Sequence, residues 1–163
     1  MLLTKRTLSL RDSYVAMTDS FTYDNGALRG VLLADTVVNT LTAGRIFADE
    51  LPDVQAKDMP RKAVVISSAG GTGAFGYVPI GYRAKDFKCY AESPYEASRL
   101  WSAVQQVLHG IQRQLVNPPG GLGGVLLYDA ARVSGPIMLR EPETNWPLVF
   151  GTFSVLIADE AEV

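Results

Sequence analysis

Residues 93–115 constrain the fold more than any other part of the chain. Ser93-Pro94-Tyr95-Glu96 is a capping box. The Ser93 hydroxyl is placed to accept from an early backbone N–H, and Glu96 to reach back to the Ser93 N–H. Pro94 falls at the first helical position, where its missing N–H costs nothing. From there Ala97, Leu100, Trp101, Val104, Val107, Leu108, Ile111 and Leu115 recur on one stripe. Ser98, Arg99, Gln105, Gln106, His109, Gln112 and Arg113 take the opposite face. This spacing predicts an amphipathic helix from 94 to about 115. Burying each large apolar side chain is worth ~1.5–3 kcal/mol, so the stripe needs an apolar surface to lie on.

Candidate strands supply that surface. Residues 61–69 centre on Val64-Val65-Ile66. In 82–91 the residues alternate, with Phe87, Cys89 and Ala91 on one side and Asp86, Lys88 and Tyr90 on the other. These two strands are expected to pair as a hairpin across the glycine-rich segment 70–81. Beyond the Pro/Gly break at 117–124 come a third strand, 125–133, a proline-containing turn region, 134–147, and a last strand, 148–158. Before the hairpin, 27–42 has helical spacing, and Asp35-Thr36 is suited to cap a second short turn, which predicts a bent or broken helix. Gly44 suits the left-handed stop that follows. Arg45-Ile46-Phe47 reads as extended and 48–60 as a loop. Asp24-Asn25-Gly26 is a turn signal that sets off 1–26 as an arm or added element from a single domain, 27–163. The expected class is α+β: a mostly antiparallel sheet of about four strands, helices on one face, and an N-terminal arm.

Composition narrows the function. With 163 residues the chain suits one core. Its 15 basic residues are scattered among 17 acidic ones, which argues against a dedicated duplex binder. One cysteine cannot staple the fold and fits a reducing cytoplasm. Met1-Leu2-Leu3 runs at once into Lys5 and Arg6, so no signal peptide is expected, and no apolar run suggests a membrane span.

The motifs point away from catalysis. Gly71-Thr72-Gly73-Ala74-Phe75-Gly76 matches G-x-G-x-x-G after a strand. A dinucleotide site needs the third glycine to open a helix, yet Tyr77-Val78-Pro79-Ile80 follows, and no Lys-Ser or Lys-Thr makes it a P-loop. A flexible loop bearing Phe75, Tyr77 and Ile80 suits ordering against a partner instead. His109, the sole histidine, sits on the polar helix face without an orienting partner, and His109 with Cys89 makes no metal ligand set. Cys89 falls on the core side as a small hydrophobe. Trp146, in a proline-flanked turn, is either an interface anchor or packed over a sheet edge. The candidate interface is therefore Gly71, Gly73, Phe75, Tyr77, Ile80 and Trp146, with no catalytic, cofactor-binding or metal residues.

The order of features resembles a known family. The helix break Leu32-Leu33-Ala34-Asp35 leads to Ala43-Gly44-Arg45-Ile46-Phe47 and the acidic Asp49-Glu50-Leu51-Pro52. Then come an apolar strand, Phe87-Lys88-Cys89-Tyr90-Ala91, the helix capped by Ser93 and two closing strands. Over 27–158 this resembles the tail terminator and tail-completion family of long-tailed bacteriophages, which includes head–tail joining proteins. The closest single match is Arg45, after the first helix; the arm 1–26 and the loop 70–81 depart from the usual pattern.

The resemblance implies a structural virion protein, not an enzyme, assembled in the host cytoplasm. It implies a hexameric ring on the last ring of tail-tube subunits, which stops tube growth and meets the head connector. Genomic DNA passes through the lumen unread. The alternatives are another neck or tail-tube ring protein of the same particle and a nucleotide-binding enzyme using the 71–76 loop. A tube protein would show more strand and less of the 94–115 helix.

Overall fold

The computed structural model describes residues 23–71, 80–118 and 124–159. In chain order the elements are helices α1 (Asp24–Ala34) and α2 (Thr36–Thr42), strand β1 (Ile46–Ala48), a single turn α3 (Asp53–Ala56), strands β2 (Ala63–Gly71) and β3 (Ile80–Tyr90), helix α4 (Pro94–His109), and strands β4 (Gln114–Val116), β5 (Val125–Arg140) and β6 (Pro147–Asp159). They form one six-stranded sheet in the order β1-β2-β3-β6-β5-β4. The α+β class is as expected. The sheet has six strands instead of about four, and it is mixed, because β1 runs parallel to β2.

The break between α1 and α2 has the predicted cause. Asp35 is extended, with ψ 125°, and its side chain accepts from the Val38 N–H at 2.9 Å. The stop is left-handed at both Ala43 (φ 49°) and Gly44 (φ 77°). The turn expected at 24–26 is instead the first turn of α1. Asp24 accepts from the Asn25 N–H at that turn, and Asn25 and Gly26 are buried.

Helix α4 starts with the Ser93 half of its expected capping box, Ser93 Oγ accepting from the Glu96 N–H at 3.3 Å, while the Glu96 carboxylate turns away from the Ser93 N–H. The Glu96 carboxylate lies 3.2 Å from Lys62 Nζ, tying the helix start to the residue just before β2. The helix ends at Gly110, about five residues short of the expected stop. Leu115 therefore does not continue the buried stripe; it lies in β4 and is 53% exposed. Five of the eight predicted stripe residues are buried on α4, and Ile111 is buried just after it.

The region read as a turn, 134–147, is mostly strand. β5 continues to Arg140 through register shifts that absorb Gly135 and Pro136, and only 141–146 turns before β6. A bulge accommodates an extra residue without ending the ladder, which is why a Gly-Pro pair did not stop the strand. β6 lies between β3 and β5, with Phe87 opposite Gly151 and Ala130 opposite Val155.

Helices α1, α2 and α4 cover one face. Leu28, Leu32, Val38, Leu100, Trp101 and Leu108 meet Val64, Ile66, Phe87, Cys89, Phe153 and Val155 in one core. The other face carries a smaller cluster at one end, where Val65, Tyr90 and Leu148 are covered by Phe47, Leu51, Met59, Trp146 and Phe150.

Candidate functional site

Two features stand out on this frame: a buried polar cluster on the helix-covered side and an open strand edge at the far side of the sheet.

The cluster is centred on Lys85, which is 2% exposed. Strand alternation puts Lys85 on the same side as Phe87 and Cys89, facing the helices. An ammonium there must be paired. Its Nζ lies 2.6 Å from Asp24 Oδ2 and donates to Ser68 Oγ at 2.8 Å. Arg83 Nη1 reaches the same Asp24 oxygen at 3.2 Å. Burial alone would raise the Asp24 pKa, but the hydrogen bonds and charges of Lys85 and Arg83 outweigh it and hold the carboxyl below its ordinary value. Alongside, Asn25 Nδ2 donates to Asp49 Oδ1 at 2.5 Å and the Tyr23 hydroxyl donates to Asp49 Oδ2 at 2.7 Å. Burial, and then this bond to a carboxylate, push the Tyr23 phenol up to about 12. Asp49 itself sits at φ 73°, a conformation Asp tolerates better than most residues. The cluster therefore joins the start of α1, the end of β1, β2 and β3. Its charges are mutually satisfied, which suits fastening better than proton transfer.

The open edge belongs to β5. β4 covers only Val125, Leu126 and Leu127. Beyond it, no strand among the described residues pairs with the outer side of 129–140. Val133, Ile137, Met138 and Leu139 are 65%, 47%, 45% and 44% exposed there. The opposite edge of the sheet is closed differently. On β1, the Ile46 carbonyl accepts from Arg29 Nε at 2.7 Å, the Ile46 N–H donates to Gly44, and the Ala48 carbonyl accepts from the Glu50 N–H.

The interface residues singled out from sequence do not form one patch. Gly71 ends β2 and is exposed; a Cβ there would lie 2.5 Å from the Tyr82 carbonyl oxygen, so the two strands approach closely. Ile80 opens β3 and is half-buried. Gly73, Phe75 and Tyr77 lie outside the described residues, as does most of the G-x-G-x-x-G motif. Trp146 sits at the other end of the sheet, half-buried, with its ring edge-on to Tyr90 at 6.3 Å. Tyr90 is buried and its phenol is pushed up, first by burial and then by the Glu141 carboxylate. Cys89 is fully buried, and burial raises its thiol pKa strongly. His109 is exposed at the end of α4, with its ring 5.8 Å from that of Phe153.

Sequence reasoning missed both Lys85 and the apolar part of the open edge. The signal for Lys85 was present, since it shares parity with Phe87 and Cys89. The edge was hidden by the Gly135-Pro136 pair. One shallow surface depression, about 320 Å³, is lined by Gly30, Val31, Ala34, Gln114, Leu115, Val116 and Asn117 and contains no titratable side chain. Among the described residues no group of three or more His, Cys, Asp or Glu side chains is placed to hold a metal, and no helix is long and apolar enough to cross a membrane.

The sequence matches no protein-family profile and no curated protein. Among solved structures, it is similar to a chain from the virion of a native gene transfer agent particle, with a TM-score of 0.49 and 16% identity, over 84% of this chain and 99% of that one.

Proposed function

We propose that this chain is a structural subunit of a tailed-phage-type particle, forming a ring at the head-proximal end of the tail tube. In that reading it ends tube growth and joins the tail to the head connector. The observation that carries the proposal is the open edge of β5, with four large apolar side chains exposed beside unpaired strand. A long unpaired edge of this kind invites association, and persists where a defined partner covers it. The feature order from the α1–α2 break to β6 supports the same reading through its resemblance to tail terminator and tail-completion proteins. The buried cluster holds the first helix to the sheet, as a rigid assembly unit requires. The partners proposed are further copies of the chain in a hexamer, the tube protein and the connector, with genomic DNA passing through the lumen.

The test is removal of the gene product from infected cells, followed by electron microscopy of the lysate. The expected picture is DNA-filled heads without tails, together with unattached tails of irregular length. Purified protein added to such an extract should restore joining to tails of normal length. Normal-length tails attached to heads would reject the terminator role.

A further inference from the structure

We propose that the outer edge of β5, residues 129–140, docks against a second copy of this chain at the exposed 68–71 end of β2. The proposal rests on the ring reading above, because a ring needs two unlike surfaces on each subunit that meet head to tail.

The two ends of the sheet are unlike in the required way. The β5 side offers apolar bulk: Val133, Ile137, Met138 and Leu139. The β2 side offers clearance. β1 pairs only with Val64, Val65 and Ile66, so β2 runs on past it without an outer neighbour among the described residues. That stretch is Ser67-Ser68-Ala69-Gly70-Gly71, of which 68–71 are exposed. A Cβ built on Gly70 would meet nothing within 4 Å. Small residues on an open strand let another backbone come close. β1 cannot serve in its place, since Arg29, Gly44 and Glu50 already occupy its outer groups.

Charge favours the same pairing. Arg132 and Arg140 lie on the β5 segment with Asp129 as the single acid. Asp49, Glu50 and Asp53 follow β1, immediately beside the exposed end of β2, since the Asp49 N–H donates to the Ile66 carbonyl. Glu50 and Asp53 are exposed and make no ion pair among the described residues. Two β5 edges placed together would instead bring four arginines against two aspartates, an excess of positive charge. Both edges are also irregular, with register shifts between Ser68 and Gly71 on one and around Ser134 on the other. An irregular edge rejects casual strand pairing and admits a partner of matching shape.

Cysteine cross-linking tests the assignment, because Cys89, the sole natural cysteine, is buried and inert. Ala69→Cys and Val133→Cys are made separately in the full chain. On mild oxidation each alone should stay monomeric on a non-reducing gel, the mixture should give dimers, and the double variant should give a ladder ending at the ring. Cross-linking of Val133→Cys to itself would overturn the proposal in favour of like edges. A wild-type chain that assembles by native mass while the mixture gives no cross-link would overturn it in favour of another surface. A wild-type chain that stays monomeric at high concentration would overturn self-docking altogether. As an independent arm, Arg132→Glu with Arg140→Glu should lower assembly at least tenfold with circular dichroism unchanged, and Glu50→Arg with Asp53→Arg should restore it. Rescue failing in a folded protein would remove the charge match. None of these results alters the lysate microscopy, so failure of the docking surface and failure of the virion role are read separately.

Discussion

Lys85 Nζ lies 2.6 Å from Asp24 Oδ2, and this pair fastens the first turn of α1 to the middle of β3. The two partners are not equivalent. Lys85 is 2% exposed on its side chain and Asp24 15%, and Asp24 has a second cation in Arg83. Asp24→Asn strands a buried ammonium with Ser68 and a neutral amide, and should cost about 3–5 kcal/mol. Lys85→Met leaves Asp24 paired with Arg83 and fills the same space with an apolar chain, so it should cost no more than about 1–2 kcal/mol. Urea melts of the two variants check the order. Lys85→Met costing more than Asp24→Asn would reverse the assignment.

The same pair gives stability a pH dependence. The folded Asp24 carboxyl has a pKa below its ordinary 3.8, so its contribution is present above that value and is lost as pH falls towards the lower folded value. The stability difference between wild type and Asp24→Asn should be flat above about pH 5 and shrink below about pH 4. Denaturant melts at stepped pH measure it. A difference that grows on acidification contradicts this account.

Trp101 and Gly151 are coupled. A Cβ on Gly151 would fall inside the van der Waals radius of the Trp101 ring, and the Ser134 carbonyl closes the other side at 3.0 Å. Trp101 is 3% exposed and donates from Nε1 to Gln105 Oε1 at 3.1 Å. Trp101→Ala should cost about 3–5 kcal/mol. Gly151→Ala should be costly in wild type and much less so on the Trp101→Ala background, where the ring is gone. A double-mutant cycle reads the coupling, and additivity would show that the ring is not what excludes the methyl.

Cys89 should be silent to thiol reagents in the native protein at pH 8 and react fully in denaturant, since it is buried and its thiol is held protonated by desolvation. Cys89→Ala should be better tolerated than Cys89→Ser, because serine puts a hydroxyl among Val64, Phe87 and Val149 without a partner in the apolar core. Comparison of thermal midpoints decides between them.

Micromolar ATP or NAD titrated against the chain should give no saturable signal, because Pro79 follows the 71–76 glycines where a phosphate-binding helix would have to run. Saturable binding that is lost in Gly73→Val would revive the nucleotide reading.

Legibility in the sequence followed local chemistry. Ser93 and Asp35 declared their helix starts because capping is an interaction within four residues, and both caps are in place. The end of α4 was less legible. Leu115 continues the helical stripe in period, but Gly110 stops the helix and Leu115 joins β4. β5 was shortened for the opposite reason. Gly135-Pro136 carries a strong local turn signal, which long-range pairing with β6 overrides through bulges. Lys85 went unnoticed because a lysine is read as solvent-facing unless the counter-ion is known, and Asp24 lies 61 positions earlier in the chain. The open edge of β5 needed the strand order, which no local pattern contains.

The place of β6 in the sheet has a consequence for synthesis. It is the last of the six strands to leave the ribosome, yet it is flanked by β3 and β5 and joins the two halves of the sheet. Ile80 waits for Ala158 across almost half the chain. Until β6 arrives, β3 lacks one neighbour and β5 lacks its principal one, so a nascent chain cut short before residue 147 has no sheet to close. The sheet therefore carries its own check: only a polypeptide made through β6 acquires a β5 paired along its length, and products that stop short of it are left open to proteolysis.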